Sequence, residues 1–279
     1  MTLDLTPSSP IGVFDSGLGG LSVLREIERQ LPGERIHYVA DTANVPYGDK
    51  PIEVVRSLAL KLTDYLIESG AKIVIMASGT STAAGLDAAK QKHPAADIIG
   101  TIDSGARTAV NASAGDIGVI ATNATAQSLA FSHAVHAIDP KRRVAEQGCP
   151  RFVPLVETGR TECADAVDAS LEYLRPLAAA SVRVIILGCT HFPFLDTALR
   201  QAVHDLNVRD FQPLFVDPAA ETVRDVKALL ARKNLLNPAI SSQSSVRFDA
   251  TGDPEEFRRQ ASMLLRRDAG PANLLRLGD

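Results

Sequence analysis

The sequence lacks tryptophan and is poor in aromatic side chains, which make up 5% of its 279 residues. Hydrophobic residues nevertheless reach 45%, so a core must be built from aliphatic side chains. Such a core is typical of buried parallel strands that helices cover on both faces. The length exceeds what one compact domain usually needs and suits two of modest size. Composition and length therefore favour an α/β protein of two domains.

Cysteine is also scarce. The three cysteines are an odd number and form no CxxC pair, so the sequence predicts neither a disulfide framework nor a structural zinc site. No carboxylate is placed to complete a metal site with the scattered histidines. We expect these histidines at the surface or in the core, without a catalytic role: His93, His133, His136 and His204.

Strong charge and long apolar runs are missing as well. The formal net charge is −4, and one small basic cluster, Lys141–Arg143, is predicted to be a solvated turn. No apolar run approaches the ~20 residues of a membrane span, and the first ten residues lack the basic start and apolar core of a signal peptide. We therefore expect a cytoplasmic protein that binds neither nucleic acid nor a membrane.

Short apolar runs alternate with helical periodicity along the chain. Strands are predicted at Ile11–Phe14, Ile36–Ala40 and Ile73–Ala77, and helices at Leu21–Leu31 and Ile52–Ser69. This alternation indicates a parallel sheet wrapped by helices.

The pattern then repeats. Ile117–Ile120 resembles Ile11–Phe14, and Val184–Leu187 resembles Ile73–Met76, at offsets of 106 and 111 residues. One short insertion accounts for the difference between the offsets. The sequence therefore predicts two similar parallel-sheet α/β domains related by internal pseudo-symmetry, with an active site in the cleft between them.

The predicted boundaries assign residues 9–102 and 212–279 to the first domain and residues 103–211 to the second. A last strand at Phe215–Val216 falls in the returning segment, although the local pattern does not decide which sheet it joins. The polar stretch Asn237–Ser245 is predicted to be a loop.

Small polar residues follow four of the predicted strands. Ligands of open α/β sheets bind at the carboxyl ends of strands. Any one of these segments could simply cap the next helix, but four together, with a cysteine and a histidine among them, favour a site. The segments are Asp15-Ser16, Ser78-Gly79-Thr80, Thr122–Thr125 and Cys189-Thr190-His191.

The glycine-rich loop Asp15–Gly20 matches neither the GxGxxG nor the phosphate-loop pattern, which argues against a nucleotide. A helix start with free N–H groups suits a small anion such as a carboxylate. In such a site Asp15 would either meet an ammonium group or act on a proton.

Cys189 is the candidate nucleophile or proton-transfer base. Helix-start N–H groups and an imidazolium at His191 would favour its thiolate form. Cys149 and Cys163 are expected to be small buried hydrophobic residues.

Several motifs together resemble the glutamate racemase family, from about Ile11 to about Leu230. The pairing of Asp-Ser-Gly with Gly-Cys-Thr-His is specific, whereas neither alone would be. The matching segments are Ile11–Gly20, Asn44–Gly48, Cys149–Glu157, Leu187–Leu195 and Val216-Asp217.

The resemblance implies an isomerase, an amino-acid racemase that interconverts L- and D-glutamate without pyridoxal phosphate or metal. It implies a supply of D-glutamate for peptidoglycan synthesis, and hence a role in cell wall biogenesis and cell shape. It also implies a homodimer. Two cysteines of the family move the α-proton on opposite faces; Cys189 would be one, assisted by His191, while Asp15 would assist the other base. The implied substrate-binding residues are Ser16, Pro46, Tyr47, Gly48, Gly79, Thr80, Thr122 and Thr190.

The sequence departs from the family at the first cysteine. Ser78-Gly79 stands where the family has Cys-Asn, so Ser78 takes the catalytic position. A hydroxyl is a far weaker acid than a thiol, and glycine lacks the donors and acceptor of an amide. Two further departures are Asp103-Ser104 in place of Glu-Pro and Pro218 in place of serine.

Three interpretations remain open on the sequence alone. The first is a glutamate racemase whose activity Ser78 and Gly79 impair. The second is a one-cysteine relative that acts through Cys189 as a decarboxylase, lyase or one-sided isomerase. The third is a non-catalytic protein that binds an acidic amino acid. The sequence does not decide between glutamate and a related dicarboxylic amino acid.

Overall fold

A computed structural model describes residues 5–238 and 245–278. The first four residues and most of the loop predicted at Asn237–Ser245 lie outside these ranges. The strands in the described part of the chain are β1 Ile11–Asp15, β2 Arg35–Ala40, β3 Ile73–Met76, β4 Ile98–Gly100, β5 Ile117–Ala121, β6 Val144–Gly148, β7 Val184–Leu187, β8 Leu214–Val216, β9 Ser245–Ala250 and β10 Ala272–Leu274.

The helices alternate with these strands. They are α1 Leu21–Gln30, α2 Ile52–Glu68, α3 Gly79–Lys92, α4 Ile102–Ala112, α5 Asn123–Ser128, α6 Ala130–Ile138, α7 Phe152–Glu157, α8 Ala164–Ala179, α9 Asp196–Leu206, α10 Pro218–Arg232 and α11 Pro254–Leu265. None of those helices combines the length and apolar character that crossing a bilayer requires.

The strands form two separate sheets. The first has the order β10-β9-β2-β1-β3-β4 and the second the order β6-β5-β7-β8, and every pair is parallel. The prediction of two parallel-sheet α/β domains is confirmed.

The internal repeat corresponds to equivalent strands at the centre of each sheet. In the first sheet β1 pairs with β3, so that Ile11 lies opposite Ile73. In the second sheet β5 pairs with β7, so that Ile117 lies opposite Val184. The two repeated strings therefore occupy matching positions, and their carboxyl ends lead into matching turns.

The last predicted strand joins the second sheet. β8 pairs with β7, with Phe215 opposite Ile185, whereas the predicted boundary assigned residues from 212 onward to the first domain. Helix α10 packs through Val223 and Leu230 into the core of the first sheet. We therefore propose that the chain returns to the first domain after Val216.

Both faces of the central strands of each sheet are buried. Along β1, Ile11 and Val13 pack into the layer that contains α1 and α10, while Phe14 packs into the layer that contains α2. Full burial of such a side chain contributes roughly 1.5–3 kcal/mol. The continuous apolar runs that identify these strands in the sequence follow from this two-sided burial.

Candidate active site

The carboxyl ends of β1, β3, β5 and β7 meet between the two domains. The Thr190 hydroxyl, after β7, donates to Oδ2 of Asp15 at the end of β1, at 2.9 Å. The hydroxyls of Thr80, after β3, and Thr122, after β5, lie 2.9 Å apart. The structure thus brings together the four polar segments that the sequence singled out.

Two of these segments also cap helices. Oγ of Ser78 accepts a hydrogen bond from the backbone N–H of Ser81 at 3.4 Å, at the start of α3. Oγ1 of Thr122 accepts from the N–H of Thr125 at 3.3 Å, at the start of α5. Capping fixes both side chains at the cleft, so the capping and the site interpretations hold together.

Three threonine hydroxyls form a closed triangle across the cleft. Thr125 completes it, at 3.1 Å from Thr80 and 3.0 Å from Thr122. A hydroxyl offers one donor and two acceptor positions and can rotate, so this cluster can turn donors toward a carboxylate. The substrate-binding residues implied by the resemblance did not include Thr125, although it lies in a segment that the sequence marked.

Cys189, His191 and Glu157 form a connected chain. Sγ of Cys189 lies 3.6 Å from Nδ1 of His191, and Nε2 of His191 lies 2.6 Å from Oε1 of Glu157. Burial alone would lower the pKa of His191, but its hydrogen bonds to Cys189 and Glu157 outweigh burial and raise this pKa well above its ordinary value. The raised pKa favours the positively charged imidazolium, whose Nδ1 faces the Cys189 sulfur.

Glu157 completes the charge arrangement. Burial would raise the pKa of Glu157, but the hydrogen bond with His191 prevails and lowers it. The backbone N–H of Leu18 donates to the same Oε1 at 3.0 Å. Glu157 ends the motif Cys149–Glu157, and its carboxyl at that position is the one sign of a role that the sequence contains.

The glycine-rich loop after β1 has a steric purpose. A Cβ added to Gly17 would come within 3.0 Å of Oε1 of Glu157, and one added to Gly19 within 3.0 Å of the His191 ring. Only glycine lets the loop lie directly against this pair.

Asp15 is fully buried. Its Oδ1 accepts from the N–H of Gly17 at 3.0 Å, and its Oδ2 accepts from Thr190 at 2.9 Å. Within residues 5–238 and 245–278, no hydrogen bond joins Asp15 to Ser78. That Asp15 assists the base at position 78, as the resemblance implied, stays a prediction; its side-chain contacts are with Ser16, Gly17 and Thr190.

The turn Tyr47–Asp49 carries the first domain toward the second. The Tyr47 hydroxyl donates to Oδ2 of Asp41 at 2.5 Å, and burial together with this carboxylate raises the pKa of Tyr47, so its phenol stays neutral. A Cβ on Gly48 would lie within 3.0 Å of Thr122, which shows how closely the turn approaches α5. Pro46 lies half-buried just before it.

The cleft is closed in this structure. Ser16, Ser78 and Cys189 are 5%, 6% and 7% exposed. A cavity of about 10 Å³ touches Cys189 and Asp217, which is room for roughly one water molecule. Entry of a ligand larger than water therefore requires the domains to separate, as lids and clefts of enzymes commonly do.

The remaining cysteines lie away from this chain of contacts. Cys149 is fully buried, and burial raises the pKa of its thiol, as expected for a small hydrophobic residue. Cys163 is only half-buried, and its thiol donates to the carbonyl of Arg160 at 3.3 Å. The prediction of a buried Cys163 is therefore wrong, because this residue precedes α8 at the edge of its core.

Two other departures from the family pattern meet where α4 crosses α10. The Ser104 hydroxyl donates to Oδ2 of Asp225 at 2.8 Å. A Cβ on Gly105 would lie within 3.0 Å of the Pro218 ring. These contacts pack α4 against α10, and Pro218 also lines the small cavity beside Cys189.

Comparison with known proteins agrees with this geometry. The family model described as Asp/Glu/Hydantoin racemase matches residues 11–226. A glutamate racemase of Desulforudis audaxviator is 39% identical over 267 residues, covering 94% of this chain and 95% of that protein. One of Acidothermus cellulolyticus is 40% identical over 263 residues, with the same coverage.

Solved structures give the same result. A glutamate racemase from Francisella tularensis, crystallised with D-glutamate, is 29% identical, covers 97% of this chain and 98% of its own, and superposes with a TM-score of 0.88. One from Thermus thermophilus, crystallised with β-chloro-D-alanine, is 33% identical, covers 98% of each chain and has a TM-score of 0.84.

Proposed function

The chain belongs to the Asp/Glu/Hydantoin racemase family, and from this premise we propose that it interconverts L- and D-glutamate by proton transfer at the α-carbon. Ser78 makes this interconversion slow. The relatives at 39% and 40% identity are glutamate racemases, and one solved relative holds D-glutamate. Both points support glutamate over other dicarboxylic amino acids.

The proposal rests on one observation, the successive contacts from Cys189 to His191 and from His191 to Glu157. On this side the Cys189 thiolate takes the α-proton: the Cα–H bond breaks, an S–H bond forms, and the electron pair moves toward the α-carboxylate. Reprotonation reverses these changes. The charged His191 balances the thiolate, and the threonine hydroxyls supply donors for the charge that develops on the substrate.

The opposite face depends on Ser78. Its Oγ accepts the capping hydrogen bond of α3, and among the described residues it has no hydrogen bond to a carboxylate or imidazole. A hydroxyl without a base beside it is a poor proton acceptor. Loss of a general base costs about 10²–10⁴ in rate, and we expect a deficit of this size on the Ser78 face.

The cellular role follows from the reaction. D-glutamate formed here would supply peptidoglycan synthesis in the cytoplasm, and hence cell wall biogenesis and cell shape. The homodimer implied by the resemblance to glutamate racemases stays a prediction. No step of the proposed reaction calls on a bound cofactor, since the thiol and hydroxyl are residues of the chain itself.

The asymmetry between the two faces favours a second candidate. A protein with one competent thiol could act on a single face, as a decarboxylase, lyase or one-sided isomerase. The same Cys189 arrangement would serve it, and Ser78 would only bind or orient the substrate.

Incubation of L- and D-glutamate separately in D₂O tests these functions. We expect α-deuterium to enter one enantiomer at least tenfold faster than that enantiomer inverts, with slow inversion still measurable by chiral chromatography. Cys189→Ser should abolish the exchange. Cys163→Ser, the same substitution at a half-buried thiol outside the cleft, should not.

Each other outcome has a distinct meaning. Inversion as fast as exchange would show that Ser78 is a competent base and would contradict the impairment. Exchange without any inversion would establish the one-sided enzyme. Calorimetric binding of glutamate without exchange would establish a binding protein, and neither binding nor exchange would remove glutamate as the ligand.

A further inference from the structure

Gly79, the first residue of α3, lies against the backbone of the other domain. A Cβ built on Gly79 would fall within 3.0 Å of the carbonyl oxygen of Gly188, a distance that real Cβ atoms essentially never show. The next group, a methyl of Thr125, would be at 3.8 Å. The obstruction is therefore a single backbone carbonyl, and it belongs to the residue before Cys189.

Gly188 is held in place from its own side. Its N–H donates to the carbonyl of Ile120 at 2.7 Å. A Cβ on Gly188 would in turn lie within 3.0 Å of the Phe131 ring. The groups around the contact between Gly79 and Gly188 are backbone or packed core. No side-chain rotation can therefore make room for a Cβ at position 79, and the start of α3 would have to move away.

We propose that Gly79 sets how far the cleft closes, so that Ser78 and Gly79 act as one unit in this chain. A side chain at position 79 holds the start of α3 off the Gly188 carbonyl and separates Ser78 from Cys189. It also stretches the 2.9 Å contact between Thr80 and Thr122 that crosses the cleft. This inference concerns closure and holds whichever amino acid is the substrate.

Helix propensity and a role in closure predict different results for the substitution Gly79→Ala. Alanine is favoured over glycine within a helix, so a purely local role for Gly79 predicts that Gly79→Ala leaves the protein as stable or more so. A role in closure predicts instead a more open cleft. A displacement of about 1 Å between reacting groups costs on the order of 10² in rate.

The inference changes how the family pattern can be restored. On sequence alone, replacing Ser78-Gly79 by Cys-Asn returns both missing groups. In this structure the Cβ of an asparagine at position 79 would lie within 3.0 Å of the Gly188 carbonyl oxygen. Restoring the thiol alone is therefore expected to raise racemisation more than restoring both residues.

The first experiment measures closure without turnover. The alkylation rate of Cys189 by iodoacetamide is followed by peptide mass spectrometry in Gly79→Ala and in Gly85→Ala. Gly85 is a matched control, because it lies in the same helix and its Cβ would meet α2 of the first domain, with Ala59 at 3.0 Å and the Arg56 backbone at 3.9 Å. We expect alkylation of Cys189 to rise about tenfold in Gly79→Ala and to change less than twofold in Gly85→Ala.

Cys149 serves as an internal reference, because it is fully buried in the core and reacts only if the domain unfolds. An unchanged Cys189 rate in folded Gly79→Ala would overturn the proposal. If Gly79→Ala does not fold, Gly79→Ser carries the same Cβ on a residue that helix starts accept well, and the same comparison applies.

The second experiment uses kinetics. Against Ser78→Cys, the double variant Ser78→Cys with Gly79→Asn is expected to show at least a tenfold lower kcat for racemisation. An equal or higher kcat would overturn the closure role. If glutamate is not a substrate, the kinetic comparison gives no signal, but the alkylation result is unaffected. The proposed function and the closure role of Gly79 can therefore fail independently.

Discussion

The carboxylate of Glu157 lies 2.6 Å from Nε2 of His191, on the side of the ring opposite to Cys189. One side chain therefore fixes the charge and the orientation of the imidazole that faces the thiol. This relationship crosses from the end of α7 to the turn after β7, and the catalytic side of the cleft depends on it.

Glu157→Gln should uncouple that arrangement. The amide keeps the shape of the carboxyl but removes its charge, so the pKa of His191 falls and less imidazolium remains at pH 7. We expect the α-proton exchange supported by Cys189 to drop about 10–100-fold, a range typical of groups that orient a catalytic side chain, and its alkaline limit to move to lower pH. The pH profile of deuterium wash-in measures both effects. An unchanged profile would show that Glu157 only fills space.

The same pair should influence stability in a defined pH window. The folded pKa of His191 is raised above its ordinary 6.5, so its contribution is fully present below pH 6.5 and is lost as pH rises through the folded pKa. The folded pKa of Glu157 is lowered from 4.5, so its contribution is present above pH 4.5 and is lost as pH falls through the folded pKa. The stability difference between wild type and Glu157→Gln is therefore expected to be largest between about pH 4.5 and 6.5. Urea unfolding at pH 5.5 and 9 measures it, and equal differences would contradict this assignment.

Ser78→Cys should raise the rate of inversion. A thiol at the start of α3 can take a proton that the hydroxyl cannot, and we expect kcat for racemisation to rise about 10²-fold, within the range for a general base. Ser81→Cys is the matched control, since it adds a thiol to the same helix three residues later. A similar gain in both variants would show that thiol content, and not position 78, is responsible.

The central strands and their polar ends were predictable because both faces of β1, β3, β5 and β7 are buried and leave continuous apolar runs. The edge strand β6 was not predicted, since all five of its residues are only partly buried and its sequence, Val-Ala-Glu-Gln-Gly, carries no such run. β9 begins within a polar stretch, where the local composition indicates a loop.

The contacts between the domains were beyond sequence reasoning for a different reason. Thr190 approaches Asp15, and Gly79 approaches Gly188, only because two separately folded sheets meet at their carboxyl ends. No local periodicity encodes that meeting. The sequence indicates the polar turns that follow the strands. Only the structure shows which of these turns contact each other across the cleft.

Thr125→Val should weaken substrate binding more than it weakens the fold. The variant removes one corner of the hydroxyl triangle, whose contacts with Thr80 and Thr122 are 3.1 and 3.0 Å long. We expect a stability loss of about 1 kcal/mol and a 5–20-fold increase in the Kd for glutamate, measured by calorimetry. Thr63→Val is the control: it removes a buried hydroxyl that donates to Ala59 within α2, so it should cost similar stability and leave Kd unchanged. Equal Kd values in both variants would contradict a binding role for the triangle.

Asp217→Asn should stabilise the protein at neutral and alkaline pH. Oδ1 of Asp217 accepts from the N–H of Ala219 at 2.9 Å and caps α10, while burial raises the pKa of this carboxyl from 3.8 to about 6. Because the folded state holds the proton more tightly than the unfolded chain, stability falls as pH rises from 3.8 to 6 and stays lower above that range.

Asparagine keeps the capping acceptor and carries no charge at any of these pH values. We therefore expect Asp217→Asn to exceed wild type by on the order of 1–2 kcal/mol at pH 8, from about 1.4 kcal/mol per pKa unit reduced for the partial exposure of the side chain, and to match it near pH 4. Urea unfolding at pH 4, 6 and 8 measures the trend. Asp253→Asn makes the same change at the exposed cap of α11. This control should leave the free energy of unfolding close to that of wild type at pH 6 and at pH 8. A gain for Asp217→Asn that persists unchanged at pH 4 would mean that cap geometry, and not the charge of this half-buried carboxylate, limits stability here.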